Sequence, residues 1–272
     1  MPGILYIVAT PIGNLEDISL RAVRILKEVD IIAAEDTRHT KNLLDHYGIA
    51  TRLTSYHEHN EKSKARDLVK RLVAGKSVAL VCDAGTPAIS DPGYRVVTEA
   101  IGAGITVVPV PGASALTAVL SAAGLPTDRF VFEGFLPAKK SQRKERLEAL
   151  RGETRTVIFY EAPHRLKEAL QDIQEVLGDR DMVLGREVSK MHEEFLRGRI
   201  SELAGGIAAH ARGELTLMIG GFTGEKGPTE ESLRAEIRKL KNEGWRVKEI
   251  AKLLGERYSY SKKEIYRLAL QS

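Results

Sequence analysis

Residues 77–93 read S-V-A-L-V-C-D-A-G-T-P-A-I-S-D-P-G, an apolar run that leads into a loop holding two prolines, two glycines and only Asp83 and Asp91 as charges. The run Ser77-Val-Ala-Leu-Val81 has the length and composition of a buried strand. Asp91-Pro92-Gly93 places Pro at i+1 and Gly at i+2, which predicts a type II turn, and Pro111-Gly112 repeats the pairing after the next apolar run. Both turns end a strand and lead into a helix. In an open α/β sheet that edge is where ligands bind, and Asp83 adds a fixed carboxylate there.

Outward from this loop the same rhythm recurs. Ile4–Ala9, 31–34, 78–82 and 105–110 read as strands, with helices at Ser19–Val29, Glu61–Ala74, 94–102 and Ala115–Ala123 between or after them. Ser19 is an N-cap candidate. This alternation predicts a parallel α/β sheet. Further strands are expected at 130–134, 156–160, 182–188, 194–197 and 215–221, with helices at 141–150, 164–177 and 199–210. The Gly- and Pro-rich stretch Thr223–Thr229 reads as a linker. After it come three short helices, the last opened by a Ser261–Glu264 capping box, in a helix-turn-helix-like tail. Trp245 reads as core of that bundle.

The totals fit a soluble protein with two modest cores: 272 residues, 43% hydrophobic and 29% charged. No apolar run reaches the roughly 18–20 residues of a membrane span, and no basic leader precedes the first strand, so a cytoplasmic protein is expected. One cysteine, Cys82, excludes a disulfide framework. The net charge of +4 sits in the tail, where residues 229–272 hold eleven Lys/Arg against seven Glu. That placement, with the cluster Lys139, Lys140, Arg143 and Lys144, points to an anionic partner; a solvated helix face is the plainer alternative. His57-Glu-His59 lacks further ligands at useful spacing and reads as a polar loop, so no metal is expected. Neither a phosphate-binding G-x-x-x-x-G-K-[ST] nor a dinucleotide G-x-G-x-x-G is present.

Five stretches then occur in order: Tyr6-Ile-Val-Ala-Thr-Pro-Ile-Gly-Asn-Leu-Glu-Asp17, Ala34-Glu-Asp-Thr-Arg-His-Thr40, Asp83–Gly93, Pro109-Val-Pro-Gly-Ala-Ser114 and Phe159-Tyr-Glu-Ala-Pro-His-Arg165. Together they resemble the ribosomal RNA small subunit methyltransferase I family, a branch of the tetrapyrrole methylases, over about residues 4–221. The tail resembles the small helical domain of the same branch. The resemblance implies an α/β fold of two lobes of the tetrapyrrole methylase type, 1–112 and 113–223, with the cofactor cleft between them, and a helical RNA-docking domain over 229–272. It implies a homodimer that uses S-adenosylmethionine to methylate the 2′-hydroxyl of a cytidine ribose in the decoding region of 16S rRNA, within the small ribosomal subunit. Carried onto this chain, the donor's contacts are Pro11, Asp83, Ala84, Gly85, Ile89, Ser90, Asp91, Ser114, Ala115, Tyr160, Glu161 and Thr216. Relatives acting on tetrapyrroles tend to carry G-x-G-x-G-D at the first strand; Ala9-Thr-Pro-Ile-Gly-Asn14 departs from it and argues against a porphyrin or corrin substrate.

A methyl on a cationic sulfonium transfers by in-line displacement, without a metal, so catalysis rests on positioning and on removing the 2′-hydroxyl proton. The base is open among Glu35, Asp36, Glu187 and a lysine of depressed pKa. Glu35 and Lys190 are the candidates for proton handling or ribose orientation. Arg38 and Arg165 are candidates for phosphate contact, with Lys139, Lys140, Arg143, Lys262 and Lys263 as further RNA contacts. Salt-bridged strand-end residues are the bland alternative for each. Two other functions compete: the same fold acting on a small molecule or a protein side chain, and a non-enzymatic RNA-binding factor.

Overall fold

The computed structural model describes residues 1–207, 212–223, 230–258 and 262–271. The chain divides into two compact units, Met1–Ala122 with Gly185–Glu194, and Ala123–Leu184 with Phe195–Ser272.

The first unit runs β1 (Ile4–Val8), α1 (Leu20–Glu28), β2 (Ile31–Ala34), α2 (Thr37–His46), β3 (Leu53–Ser55), α3 (Glu61–Val73), β4 (Val78–Val81), α4 (Tyr94–Gly102), β5 (Thr106–Val110) and α5 (Ala115–Ala123), whose last residue belongs to the other unit. Its five strands lie in the order β3-β2-β4-β1-β5, every pairing parallel. Neighbouring residues of one strand feed opposite faces. Ile31, Ala33, Val78 and Leu80 pack with Leu68 and Leu72 of α3 and Val96 of α4, while Ile32, Ala34, Ala79 and Val81 pack with Ile25 and Leu26 of α1 and Leu44 of α2. Burial on both faces explains why these strands are continuous apolar runs rather than alternating ones. Ser19 caps α1, its Oγ accepting from Ala22 N at 3.1 Å.

The outer strand β5 carries Pro109. The Val110 carbonyl faces β1, accepting from Ala9 N at 3.2 Å. By alternation, the main-chain groups of Pro109 face the open edge, where a missing N–H costs the sheet nothing.

Two elements were absent from the sequence reading, α2 and β3. Helix α2 is mostly polar and buries only Thr40, Leu43 and Leu44, and β3 is three residues long. The turns also differ from expectation. Gly93 has φ 154° and ψ −33°, far from the roughly +80° and 0° of a type II turn, and it serves as N-cap of α4. Gly112 has no positive φ; a Cβ there would lie 3.0 Å from the Ala9 Cβ, so glycine serves close approach rather than a turn.

The second unit contains β6 (Phe130–Phe135), α6 (Lys140–Ala149), β7 (Thr156–Glu161), α7 (Leu166–Leu177), β8 (Asp181–Arg186), β9 (Glu194–Arg199), α8 (Ile200–Ile207) and β10 (Leu215–Ile219). Its sheet has the order β6-β7-β10-β8-β9 and is mixed: β6 joins β7 in parallel, β10 joins β7 antiparallel. Gly185–Glu194, which spans the end of β8, the turn after it and the first residue of β9, groups with the first unit. Leu166, Leu170, Ile173 and Leu177 of α7 pack on Phe159, Leu184 and Leu217.

The tail folds as α9 (Glu230–Asn242), α10 (Val247–Tyr258) and α11 (Lys262–Gln271) around Leu233, Ile237, Ile250, Leu254, Ile265 and Leu268. Trp245 is not in that core; it is 43% exposed. Residues 224–229 of the expected linker, Tyr260 and the expected cap Ser261 lie outside the described residues.

Candidate active site at the carboxyl ends of the parallel strands

The strand order makes β2, β4, β1 and β5 neighbours, so four loops leave one edge of the first sheet side by side. Two of them are stitched together. Thr10 N donates to the Gly85 carbonyl at 2.8 Å and Gly85 N returns the bond to Thr10 at 3.1 Å, while Thr10 Oγ1 donates to the Cys82 carbonyl at 3.0 Å. Thr86 Oγ1 reaches the Ala113 carbonyl at 3.4 Å, drawing in the loop before Ser114 and Ala115. Within the 82–93 loop, Ala88 and Ser90 hold φ of 70° and 64°. Non-glycine residues enter that left-handed region at a cost of roughly 1–2 kcal/mol each, and such strain concentrates at functional sites.

Thr10, Pro11, Leu15, His39, Leu43 and Asp83 line a hollow beside these loops. Walls that mix Pro11, Leu15 and Leu43 with Thr10, His39, Thr40 and one carboxylate suit an amphipathic, cationic or hydroxyl-bearing group such as a nucleoside. The Asp83 Oδ1 accepts from Asp36 N at 3.0 Å and so ties β4 to the end of β2. Asp36 in turn caps α2, accepting from Arg38 N at 2.8 Å. The Arg38 side chain, paired 2.9 Å from Asp36, brings that carboxyl down to about 2. Glu35 moves the other way: burial, then the charge of Asp83, raises its pKa. Two adjacent carboxylates are therefore driven apart, one fixed as an anion and one made a better proton acceptor. Asp91 adds to this cluster, since after burial its charge is the next cause that raises the Cys82 thiol. Ile89 and Ser90 are exposed on the same loop, while Ala84 is half-buried and Gly85 buried.

Lys190 belongs to the first unit, in the turn between β8 and β9, with its Nζ 2.9 Å from Glu187 Oε1. Its stem lies on Gly13, in the loop after β1. The structure thus brings Lys190 to the first of the converging loops and Glu35 to the end of β2, beside Asp83.

In the second unit, Thr216 of β10 stands opposite Tyr160 of β7. Phe132 and Phe135 meet the Tyr160 ring edge-on at 5.0 and 5.7 Å. Glu161 is 2% exposed; one of its oxygens accepts from Ala162 N at 2.9 Å, while its buried Oε2 has no hydrogen-bond partner among the described residues. Burial raises this carboxyl as well. A buried acceptor without a donor fits a ligand amine or hydroxyl.

Of the candidate RNA contacts, Arg143 is corrected outright. Its side chain is 1% exposed, 2.8 Å from the buried Asp172, and donates to the Pro137 and Ala138 carbonyls. A basic residue on α6 is thus consumed by α7. Arg165 is directed inward, donating to the Leu136 carbonyl and standing 3.4 Å from Glu161. Lys140 keeps 69% of its side chain exposed, 3.8 Å from Asp172. Lys139 and Lys263 are exposed, Arg38 is 91% exposed, and the Lys262 side chain lies outside the described residues. Sequence reasoning missed Thr10 and Gly13 as site residues, although both stand in a stretch it quoted. It also missed the buried Arg180, which donates to the Leu177 and Arg151 carbonyls. Among the described residues, no group of three or more His, Cys, Asp or Glu could hold a metal.

The family profile described as Tetrapyrrole (Corrin/Porphyrin) Methylases matches residues 4–204. A protein of Pseudomonas aeruginosa named Ribosomal RNA small subunit methyltransferase I is 49% identical over 276 residues, 99% of this chain and 97% of its own. One of the same name from Halalkalibacterium halodurans is 48% identical, covering 98% and 94%. Among solved structures, a diphthine synthase superposes with a TM-score of 0.65 at 19% identity, covering 80% of this chain and 90% of its own. A uroporphyrin-III C-methyltransferase of Thermus thermophilus complexed with S-adenosyl homocysteine gives 0.56 at 21%, covering 80% and 97%. At those identities the structures speak for the fold alone.

Proposed function

The chain belongs to the ribosomal RNA small subunit methyltransferase I family of tetrapyrrole methylases, an S-adenosylmethionine-dependent methyltransferase, and we propose that it methylates the 2′-hydroxyl of a cytidine ribose in the decoding region of 16S rRNA. The substrate is the small ribosomal subunit, the setting the cytoplasm and the working form a homodimer. Among the described residues no helix is long and apolar enough to cross a membrane. One observation carries the reading: the likeness to the rRNA methyltransferases extends over 98–99% of the chain, basic tail included, where the family profile stops at residue 204.

When bound, S-adenosylmethionine supplies a methyl group on a cationic sulfur. Pro11, Asp83, Ala84, Gly85, Ile89, Ser90, Asp91, Ser114 and Ala115 would hold it in the first unit, and Tyr160, Glu161 and Thr216 are its candidates in the second. Glu35 takes the proton that leaves the 2′-hydroxyl, a task its raised pKa favours at neutral pH. Lys190 orients the ribose and steadies the oxygen as it loses that proton. No metal enters this scheme. Arg38, Lys139, Lys140, Lys262 and Lys263 would meet phosphates, and the tail, with its excess of positive charge, docks the rRNA.

The test is methyl transfer from tritiated donor to isolated small subunits, followed by nucleoside analysis of the 16S rRNA. Label in 2′-O-methylcytidine is expected. Label in a methylated base, in ribosomal protein or in a small molecule would overturn the reading, and failure to bind the donor would favour a non-enzymatic RNA-binding factor.

A further inference from the structure

No positive φ requires glycine at position 13. Space does. A Cβ on Gly13 would overlap the Lys190 Cγ and lie 3.1 and 3.2 Å from its Cε and Cδ. The lysine stem therefore lies flat in the space that any other residue at 13 would fill.

The turn that delivers this lysine is itself unusual. Glu187 and Ser189 both take positive φ, 49° and 70°, without being glycine. Lys190 N closes the turn on the Glu187 carbonyl at 3.0 Å, and Ser189 N donates to the Glu193 carboxylate at 2.7 Å. The Ser189 hydroxyl donates to Asp17, which pins the turn to the segment after Gly13. A strained turn persists only where its surroundings over-determine it, and here each restraint bears on where Lys190 points.

We infer that Gly13 is a positioning residue for Lys190: its bare backbone and the Glu187–Lys190 turn, anchored on Asp17, fix the ammonium at the loop after β1. This rests on the assignment of Lys190 to the transfer reaction. It adds that the lysine's aim is set by an absence of side chain 177 positions earlier in the sequence. Displacing a catalytic group by about 1 Å can lower a rate on the order of a hundredfold, so a single methyl at 13 should act chiefly on kcat.

The experiment uses the full chain as Gly13→Ala, Lys190→Ala and the double variant. It reads donor affinity by calorimetry, kcat and KM with isolated small subunits, and the acetylation rate of each lysine by mass spectrometry. In Gly13→Ala, Lys190 should acetylate several-fold faster relative to the other lysines. The same variant should lose about tenfold or more in kcat, with donor affinity and KM held within about twofold. Added to Lys190→Ala, Gly13→Ala should change kcat by less than about twofold, because the group it displaces is gone. An unchanged acetylation rate for Lys190 overturns the inference, as does an equal loss of kcat from Gly13→Ala in both backgrounds. If Lys190→Ala retains full kcat, the role of Lys190 in transfer falls, and the acetylation rates still decide whether Gly13 sets its position.

Discussion

In the first unit, Glu35, Asp36 and Asp83 stand at the ends of parallel strands, Asp83 accepting from Asp36 N and Asp36 from Arg38 N; in the second, Arg143, Asp172 and Arg180 lie buried, Arg143 paired with Asp172 and Arg180 spent on carbonyls. All six side chains are charged, and the consequences are opposite. A parallel sheet sends its loops out at one edge, where carboxylates keep hollow space before them. A mixed sheet under long helices has no such shared exit, and its charges become struts. Glu161 crosses the divide, for it is buried like a strut yet keeps an oxygen without a partner.

The contrast breaks most visibly at Arg143. Arg143→Ala removes the nearest partner of the buried Asp172, leaving only Lys144 and Lys140 at 3.7 and 3.8 Å, and should cost about 3–5 kcal/mol in urea unfolding. A loss under about 1 kcal/mol would mean that the pair is not structural. Next comes Glu35→Gln, which should lower kcat about a hundredfold while leaving the fold intact. Its pH behaviour is separate. The folded pKa of Glu35 is raised, so the native state holds the proton more tightly. Wild-type stability therefore falls as pH rises from about the unfolded value of 4.5 through the raised folded one. Glu35→Gln should remove that slope, and urea midpoints across this window would show it; an unchanged slope would deny that Glu35 is destabilised as an anion.

Asp83→Ala should weaken donor binding about tenfold by calorimetry, through loss of one carboxylate and of the Asp36 tether. Affinity unchanged would remove the 82–93 loop from the donor's site. The smallest effect belongs to Arg38→Ala. Its side chain is 91% exposed and its ion pair screened by water, so the unfolding temperature should stay unchanged within error, while transfer to subunits falls and grows more salt-dependent if it meets phosphate.

Much of the fold was legible because parallel strands buried on both faces leave plain apolar runs, as at 31–34 and 78–81. Helix α2 was not, since Thr37–His46 carries only three buried positions; its one signal was the capping Asp36. The loop at 82–93 was legible as a strand-end loop leading into a helix, but its turn type was not: Pro92-Gly93 matched a local rule, and the start of α4 set the backbone instead. Arg143 was misread because its partner lies 29 residues on, on another helix. Trp245 was misread because size alone suggested core. Contacts between distant stretches, such as Lys190 on Gly13, leave no local trace at either end.

Pro109 carries one more consequence. It faces the free margin of β5, and the opposite margin is the three-residue β3. Neither border of the first sheet offers a long ladder of unpaired donors and acceptors. A second copy of the chain, or a peptide, therefore has no template there for continuing the sheet strand by strand, and association at this unit must rely on side-chain surfaces.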